Sequence, residues 1–230
     1  MLCAEQLTKK YRTGEGVFNL NFKVSNGKIV GLVGTSGSGK TTLMRCLAGL
    51  LEPDEGRVLL DGSHPNTSEG RKKIAYLPEQ ADLIPDLTVV EQLHFKAMAF
   101  GHKGPSLERI VQEAIKAVNL GAYAEQLCGQ LSAGQRRRVW LAWAVLQQAE
   151  LYLLDDPTSG LDRKTQKWLK QWLDEQRLAG NSIVVATQHI HWIEDIADYC
   201  LVLEQGKIVK RKKRPNKLIV LDEKLLNRQD

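Results

Sequence analysis

The sequence predicts an α/β fold built on a mainly parallel sheet, with an antiparallel β-region at the N-terminus and a helical insertion. Three observations carry this. A glycine-rich turn, Gly34-Thr35-Ser36-Gly37-Ser38-Gly39-Lys40-Thr41-Thr42, joins the apolar run Lys28-Ile29-Val30-Gly31-Leu32-Val33 to a helical start at Leu43-Met44-Arg45-Cys46-Leu47. Late in the chain, strand-like runs alternate with an amphipathic helix, the pattern of a parallel sheet with ligands at its carboxyl ends. Between these regions the apolar period changes to that of helices.

Taken in order, Leu2 to Tyr11 and Val17 to Val24 alternate apolar and polar residues on either side of a Gly14/Gly16 turn, as paired strands do. The helix after the glycine-rich turn ends near Gly49, and Pro53-Asp54-Glu55-Gly56 turns the chain into a strand at Arg57-Val58-Leu59-Leu60. Another strand, Lys73-Ile74-Ala75-Tyr76-Leu77, stops at Pro78. Thr88-Val89-Val90-Glu91 reads as a capping box that opens a helix. Ser106 to Asn119 is amphipathic at helical period, and a third helix follows Ser132. Strands return at Leu151-Tyr152-Leu153-Leu154, Ser182 to Thr187 and Tyr199 to Glu204, with a helix from Lys164 to Leu178.

At 230 residues and 43% hydrophobic content, the chain can bury a core and suits one domain. No apolar run approaches bilayer-spanning length, and the N-terminus lacks a signal-peptide pattern, so work at a membrane would need a partner. Cys3, Cys46, Cys128 and Cys200 have neither metal spacing nor a disulfide framework, which suits a reduced, cytoplasmic compartment. Much of the net charge of +5 lies in Lys207 to Lys217, expected to be a solvated tail, with contact to anionic lipid or nucleic acid as the alternative. No aromatic residues interleave with that run, so nucleic acid is not the expected partner.

The glycine-rich turn has the strand–turn–helix context of a phosphate-binding P-loop. Its glycines let backbone N–H groups close around phosphate oxygens, and the helix N-terminus adds a favourable dipole. Lys40 is placed to reach the β- and γ-phosphates of ATP, and the Thr41 hydroxyl to ligate Mg²⁺. Leu151-Tyr152-Leu153-Leu154-Asp155-Asp156-Pro157 is an apolar strand ending in a carboxylate, which suits Asp155 as a Walker B acid in the Mg²⁺ shell. Leu131-Ser132-Ala133-Gly134-Gln135 precedes a helix just ahead of that strand.

That last motif resembles the LSGGQ signature of ATP-binding cassette (ABC) ATPases. Tyr11 resembles the family's adenine-stacking aromatic, Ser159-Gly160-Leu161-Asp162 its D-loop, and Leu77-Pro78-Glu79 the start of its Q-loop. The resemblance spans about 200 residues and implies the P-loop NTPase fold of an ABC ATPase with a helical signature subdomain. The implied layout is one domain over 1–230: a core with β-subdomain at 1–78 and 146–210, a helical subdomain at 79–145, and a basic tail at 211–230. It also implies the nucleotide-binding subunit of an ABC transporter, peripheral on the cytoplasmic face of the membrane. Two such subunits, identical or not, would sandwich ATP head to tail, each site joining one P-loop to the other chain's signature. Transmembrane permease subunits would be driven by closure and hydrolysis. The wording Ile74-Ala75-Tyr76-Leu77-Pro78-Glu79 and the short helical insertion look most like the ABC-2 and drug-exporter branch. A soluble ABC ATPase acting on nucleic acid or ribosomes is the alternative.

The chain also departs from the family pattern. The water-orienting carboxylate, normally a Glu directly after the Walker B Asp, is Asp156, one methylene shorter and so roughly 1–1.5 Å farther from the water. The family spacing of glycine, seven residues, histidine, nine residues, aspartate, counted from Gly180 and back from Asp198, lands on Gln188. His189 takes that place only if the strand end slips, because adjacent strand residues face opposite ways. Glu79 stands at the usual Q-loop glutamine and could ligate Mg²⁺. Trp140 and Trp143 replace a small residue and an Arg, and read as packing or interface residues. Together these changes resemble the chain of a heterodimer whose own site is weakened while its signature serves a partner.

Overall fold

The computed structural model describes residues 1–80 and 82–213. Two sheets organise the chain. Strands β1 (Leu2–Lys10), β2 (Gly16–Val24) and β4 (Glu55–Leu60) form an antiparallel sheet in the order β2-β1-β4. Six strands form the second sheet, in the order β5-β6-β7-β3-β8-β9: β3 (Ile29–Val33), β5 (Ile74–Leu77), β6 (Leu151–Asp155), β7 (Ser182–Thr187), β8 (Tyr199–Glu204) and β9 (Lys207–Lys213). All of its pairings are parallel except β8 with β9.

The central strands β3, β6 and β7 are buried along their whole length. Such strands read as continuous apolar runs because both faces are covered. Alternate residues therefore feed two cores. Val30, Leu32, Leu151, Leu153, Val184 and Ala186 face the antiparallel sheet and helix α1 (Lys40–Leu47). Ile29, Val33, Tyr152, Leu154, Ile183 and Val185 face the other side, where they join a helical block. That block is made of α3 (Val89–Ala99), α4 (Pro105–Ala117) and α5 (Ala133–Leu146), with α2 (Ser68–Lys73) preceding β5. Helices α6 (Arg163–Leu178) and α7 (Ile190–Glu194) follow β6 and β7.

The capping box at the start of α3 forms: the Thr88 hydroxyl accepts from the Glu91 N–H, and the Glu91 carboxylate accepts from the Thr88 N–H at 2.8 Å. Trp140 is fully buried in the core between α5 and the sheet, and Trp143 is half-buried beneath Lys96, whose ammonium lies 4.1 Å from the ring centre. Packing is thus what both tryptophans do.

The basic run needs a correction. Residues up to Lys213 are not tail but β9, paired with β8, because Lys207-Ile208-Val209 supplies an edge strand after the turn at Gln205-Gly206. Arg211 donates to the Asn21 carbonyl, and Lys212 pairs with Glu194 at 3.3 Å, so those charges are tied into the structure. Residues 214–230, the rest of the expected tail, lie outside the described residues.

One buried ion pair fixes the entry to the P-loop strand. Asp198, 6% exposed at its side chain, accepts from Lys28 Nζ and from the Ile29 N–H, each at 3.0 Å. Asp198→Ala is expected to cost about 2 kcal/mol in urea unfolding by stranding these two donors. A midpoint unchanged from wild type would refute this account of the strand's anchoring.

Candidate nucleotide site

The site lies at the carboxyl ends of three adjacent strands. β3 delivers the P-loop, β6 delivers Asp155 and Asp156, and β7 delivers Gln188. A cavity of about 200 Å³ there is lined by Tyr11, Ser36, Gly37, Gly39, Lys40, Thr41, Thr42, Glu79, Asp155, Asp156 and Gln188, with Glu15 and Gly16. Gly34, Thr35 and Ser38 complete the turn behind this lining.

The glycine pattern answers to backbone geometry. Gly39 sits at φ 101°, a left-handed conformation, and a Cβ there would come within 2.9 Å of Val17. A Cβ on Gly34 would lie 2.4 Å from the Leu203 carbonyl and 2.5 Å from Ser38 Oγ. Gly39 is also the N-cap of α1 and supplies no side-chain cap, and the first turn holds no acidic residue. The helix's leading N–H groups are therefore left for an anion.

Electrostatically the site sets one cation among carboxylates. Lys40 is 8% exposed and donates to the carbonyls of Gly34 and Thr35, both at 2.8 Å. Burial holds its pKa below the ordinary lysine value, opposed by Asp155, Asp156 and Glu79. Burial likewise raises the Asp155 pKa, partly countered by a hydrogen bond from Thr41. Asp155 Oδ2 is buried with no hydrogen-bond partner, and so is Ser38 Oγ. An orphaned carboxylate oxygen beside a threonine hydroxyl fits a hard divalent cation. Among the described residues no cluster of three His, Cys, Asp or Glu side chains could hold a metal alone. This suits Mg²⁺, which binds one or two carboxylates plus substrate phosphates.

Asp156 adopts φ 43°, unusual for a residue with a side chain. Its N–H donates to the Ala186 carbonyl at 2.8 Å, and its Oδ1 lies 3.5 Å from Thr187 Oγ1. Of the two residues considered for the switch position, Gln188 lines the cavity, whereas His189 caps α7 outside the lining and donates its backbone N–H to Thr187 Oγ1. Tyr11 stands at the rim, 39% exposed, with Thr42 Oγ1 3.4 Å from its hydroxyl.

The signature residues are elsewhere. Ser132 and Ala133 are exposed at the N-terminus of α5, and none of Ser132, Ala133, Gly134 or Gln135 lines the P-loop cavity. Ser132 and Gln135 form a capping box, with the Ser132 N–H donating to Gln135 Oε1 at 2.7 Å. Gly134 abuts the D-loop: a Cβ there would lie 3.0 Å from the Gly160 carbonyl. Asp162 caps α6 through the Thr165 N–H and pairs with Arg138, so its carboxylate is already engaged. One residue of the site's surroundings is not evident from motifs, Arg137, buried on α5 and bonded to the Glu79 and Asp156 carbonyls.

Comparison with known proteins agrees with this geometry. The ABC transporter family matches residues 17–159. The chain is 41% identical over 210 residues to the SkfA peptide export ATP-binding protein SkfE of Bacillus subtilis, covering 91% of this chain and 88% of that one. It is 35% identical to the lipoprotein-releasing system ATP-binding protein LolD 1 of Rhodopirellula baltica, covering 92% and 97%. Among solved structures, it superposes with TM-score 0.83 on a dimeric, post-hydrolysis state of the ATP-binding cassette MJ0796 bound to ADP and Pi, 28% identical, covering 94% of this chain and all of that one. Motifs, fold and relatives agree: the chain belongs to the ABC transporter family, as an ATP-binding cassette that is an ATPase.

Proposed function

We propose that this chain is the motor subunit of an ABC exporter and works as one half of a head-to-tail cassette dimer beneath transmembrane permease subunits, at the cytoplasmic face of the membrane. The observation that carries the dimer is the separation of the signature from the P-loop cavity. Ser132 and Ala133 are exposed on α5, away from the cavity of the same chain, so a second cassette is needed to bring a signature to this ATP. The 41% identity to a peptide-export ATPase favours export over import. Among the described residues no helix is long and apolar enough to cross a membrane, so translocation itself falls to the permease.

In this reading Tyr11 stacks on the adenine, and the P-loop N–H groups with Lys40 hold the β- and γ-phosphates. Thr41, Asp155 and Glu79 would hold Mg²⁺, which neutralises phosphate charge when bound. Asp156 orients the attacking water, and Gln188 donates a hydrogen bond toward the γ-phosphate without adding positive charge. The shorter Asp156 carboxylate, fixed by its backbone conformation, makes this chain's own site the slower one of an asymmetric pair.

The test is ATP turnover of the purified chain as it stands and as Asp156→Glu. A well-placed general base contributes about 10²–10⁴-fold, so a regained reach is expected to raise turnover at least tenfold. Brisk turnover by the unmodified chain alone, or no gain in the Glu variant, overturns the slow-site assignment.

A further inference from the structure

We propose that Arg137 is a positioning residue that ties the Glu79 and Asp156 backbones to the signature helix, so that the two carboxylates in the nucleotide cavity move with α5. The inference rests on assigning that cavity to ATP. The three successive arginines of α5 have different fates. Arg136 is exposed and bonds the Leu131 carbonyl, Arg138 pairs with Asp162, and Arg137 alone turns inward, 8% exposed.

Its guanidinium joins segments far apart in the chain. Nη1 donates to the Glu79 carbonyl, and Nη2 donates to the Asp156 carbonyl with the Asp155 carbonyl 3.4 Å away. The guanidinium carbon lies over the Trp140 ring, 4.2 Å from its centre, a cation–π contact that helps hold it in place. Both tied residues point their side chains toward the nucleotide cavity, so Arg137 grips them from behind.

Two further facts mark this as more than packing. Asp156 holds a left-handed conformation, and such a conformation persists only when its surroundings enforce it. The guanidinium on its carbonyl and the Ala186 carbonyl on its N–H hold the peptide units on either side of its α-carbon. Meanwhile Arg137 Nε is buried without a partner, a cost that an apolar side chain of similar length would avoid. The arginine is thus placed for the carbonyls at the expense of its own satisfaction. Because Ser132 caps α5, a shift of the signature on meeting a partner's nucleotide is passed through one rigid helix to Glu79 and Asp156. A cavity of about 420 Å³ beside this link, lined by Glu79, Ala133, Arg137 and Gly160, leaves α5 room for such a shift.

The experiment compares the full chain with Arg137→Met, an unbranched apolar side chain that fills the space beside Trp140 without a donor, and with Arg137→Lys. Three readouts are taken: backbone hydrogen exchange around Glu79 and Asp156 without nucleotide, MgATP affinity, and ATP turnover. In Arg137→Met, exchange in those two segments is expected to speed at least tenfold while β3 and β7 stay protected. Affinity is expected to hold within threefold and turnover to fall at least tenfold, with Arg137→Lys intermediate. A further variant, Arg137→Ala, is expected to regain turnover in millimolar guanidinium and not in ammonium. Unchanged exchange overturns the tie. Faster exchange with turnover and affinity falling together, or with neither changed, overturns the positioning role. Failure of the unmodified chain to bind MgATP would instead defeat the nucleotide assignment, which the exchange readout does not depend on.

Discussion

Lys40→Ala is expected to weaken MgATP binding by about 100-fold or more, which calorimetric titration of the full chain measures directly. Among the described residues, Lys40 is the one cation lining the P-loop cavity, held among Asp155, Asp156 and Glu79. Its ammonium bonds two carbonyls of its own loop, so it is poised over the turn whose N–H groups face the anion. Each charge-assisted bond it would make to phosphate contributes about 1.5–3 kcal/mol, and two of them correspond to a factor of 100 or more. The desolvation of the buried ammonium offsets much of what its loop bonds contribute, so the nucleotide-free variant is expected to melt within about 4 °C of wild type. An affinity within fivefold of wild type would remove Lys40 from the site.

The largest effect on stability is expected at Trp140. It is fully buried, the largest such side chain among the described residues, and packs α5 into the core shared with β5, β6 and β7. Trp140→Ala is expected to cost about 3–5 kcal/mol through lost burial and a residual cavity. It also removes the ring under Arg137. Trp140→Phe is expected to cost under about 1.5 kcal/mol, because most of the volume stays and the indole N–H it deletes has no partner. Chemical denaturation of both variants checks the contrast, and equal losses would mean that the ring's volume is not what holds α5 in place.

How legible the structure was in the sequence depends on what each segment buries. Ser182 to Thr187 and Tyr199 to Glu204 match β7 and β8 because a strand covered on both faces leaves an unbroken apolar run. Thr88 and Ser132 announced helix starts because capping is a local, two-residue transaction. Ser68–Lys73 gave no such signal: Ser-Glu-Gly-Arg-Lys-Lys has no apolar period, a central glycine, and only six residues. Lys207–Lys213 read as tail because lysines dominate an edge strand, whose partner is supplied by tertiary contact with β8. At the site, the P-loop and Asp155 were readable from their strand and turn context, Asp156 and Glu79 from the resemblance to the family, and the cavity gathers them. Arg137 was hidden within three successive arginines, which look like a solvated face. Only the helical period gives it away, since it shares a side of α5 with buried Trp140, Leu141 and Ala144.

The nucleotide cavity draws on Tyr11, the P-loop after β3, the end of β6 and the residue after β7, segments spread from the first dozen residues to beyond position 185. Those strands are neighbours only once two long crossovers have closed. ATP therefore acts on this chain as a reversible cross-link, since it binds a surface that does not exist until distant segments have met. At a ligand concentration 1,000 times the dissociation constant, such a cross-link contributes about 4 kcal/mol to the folded state. The supply of nucleotide would then set how long the subunit survives between partners, quite apart from how fast it consumes that nucleotide.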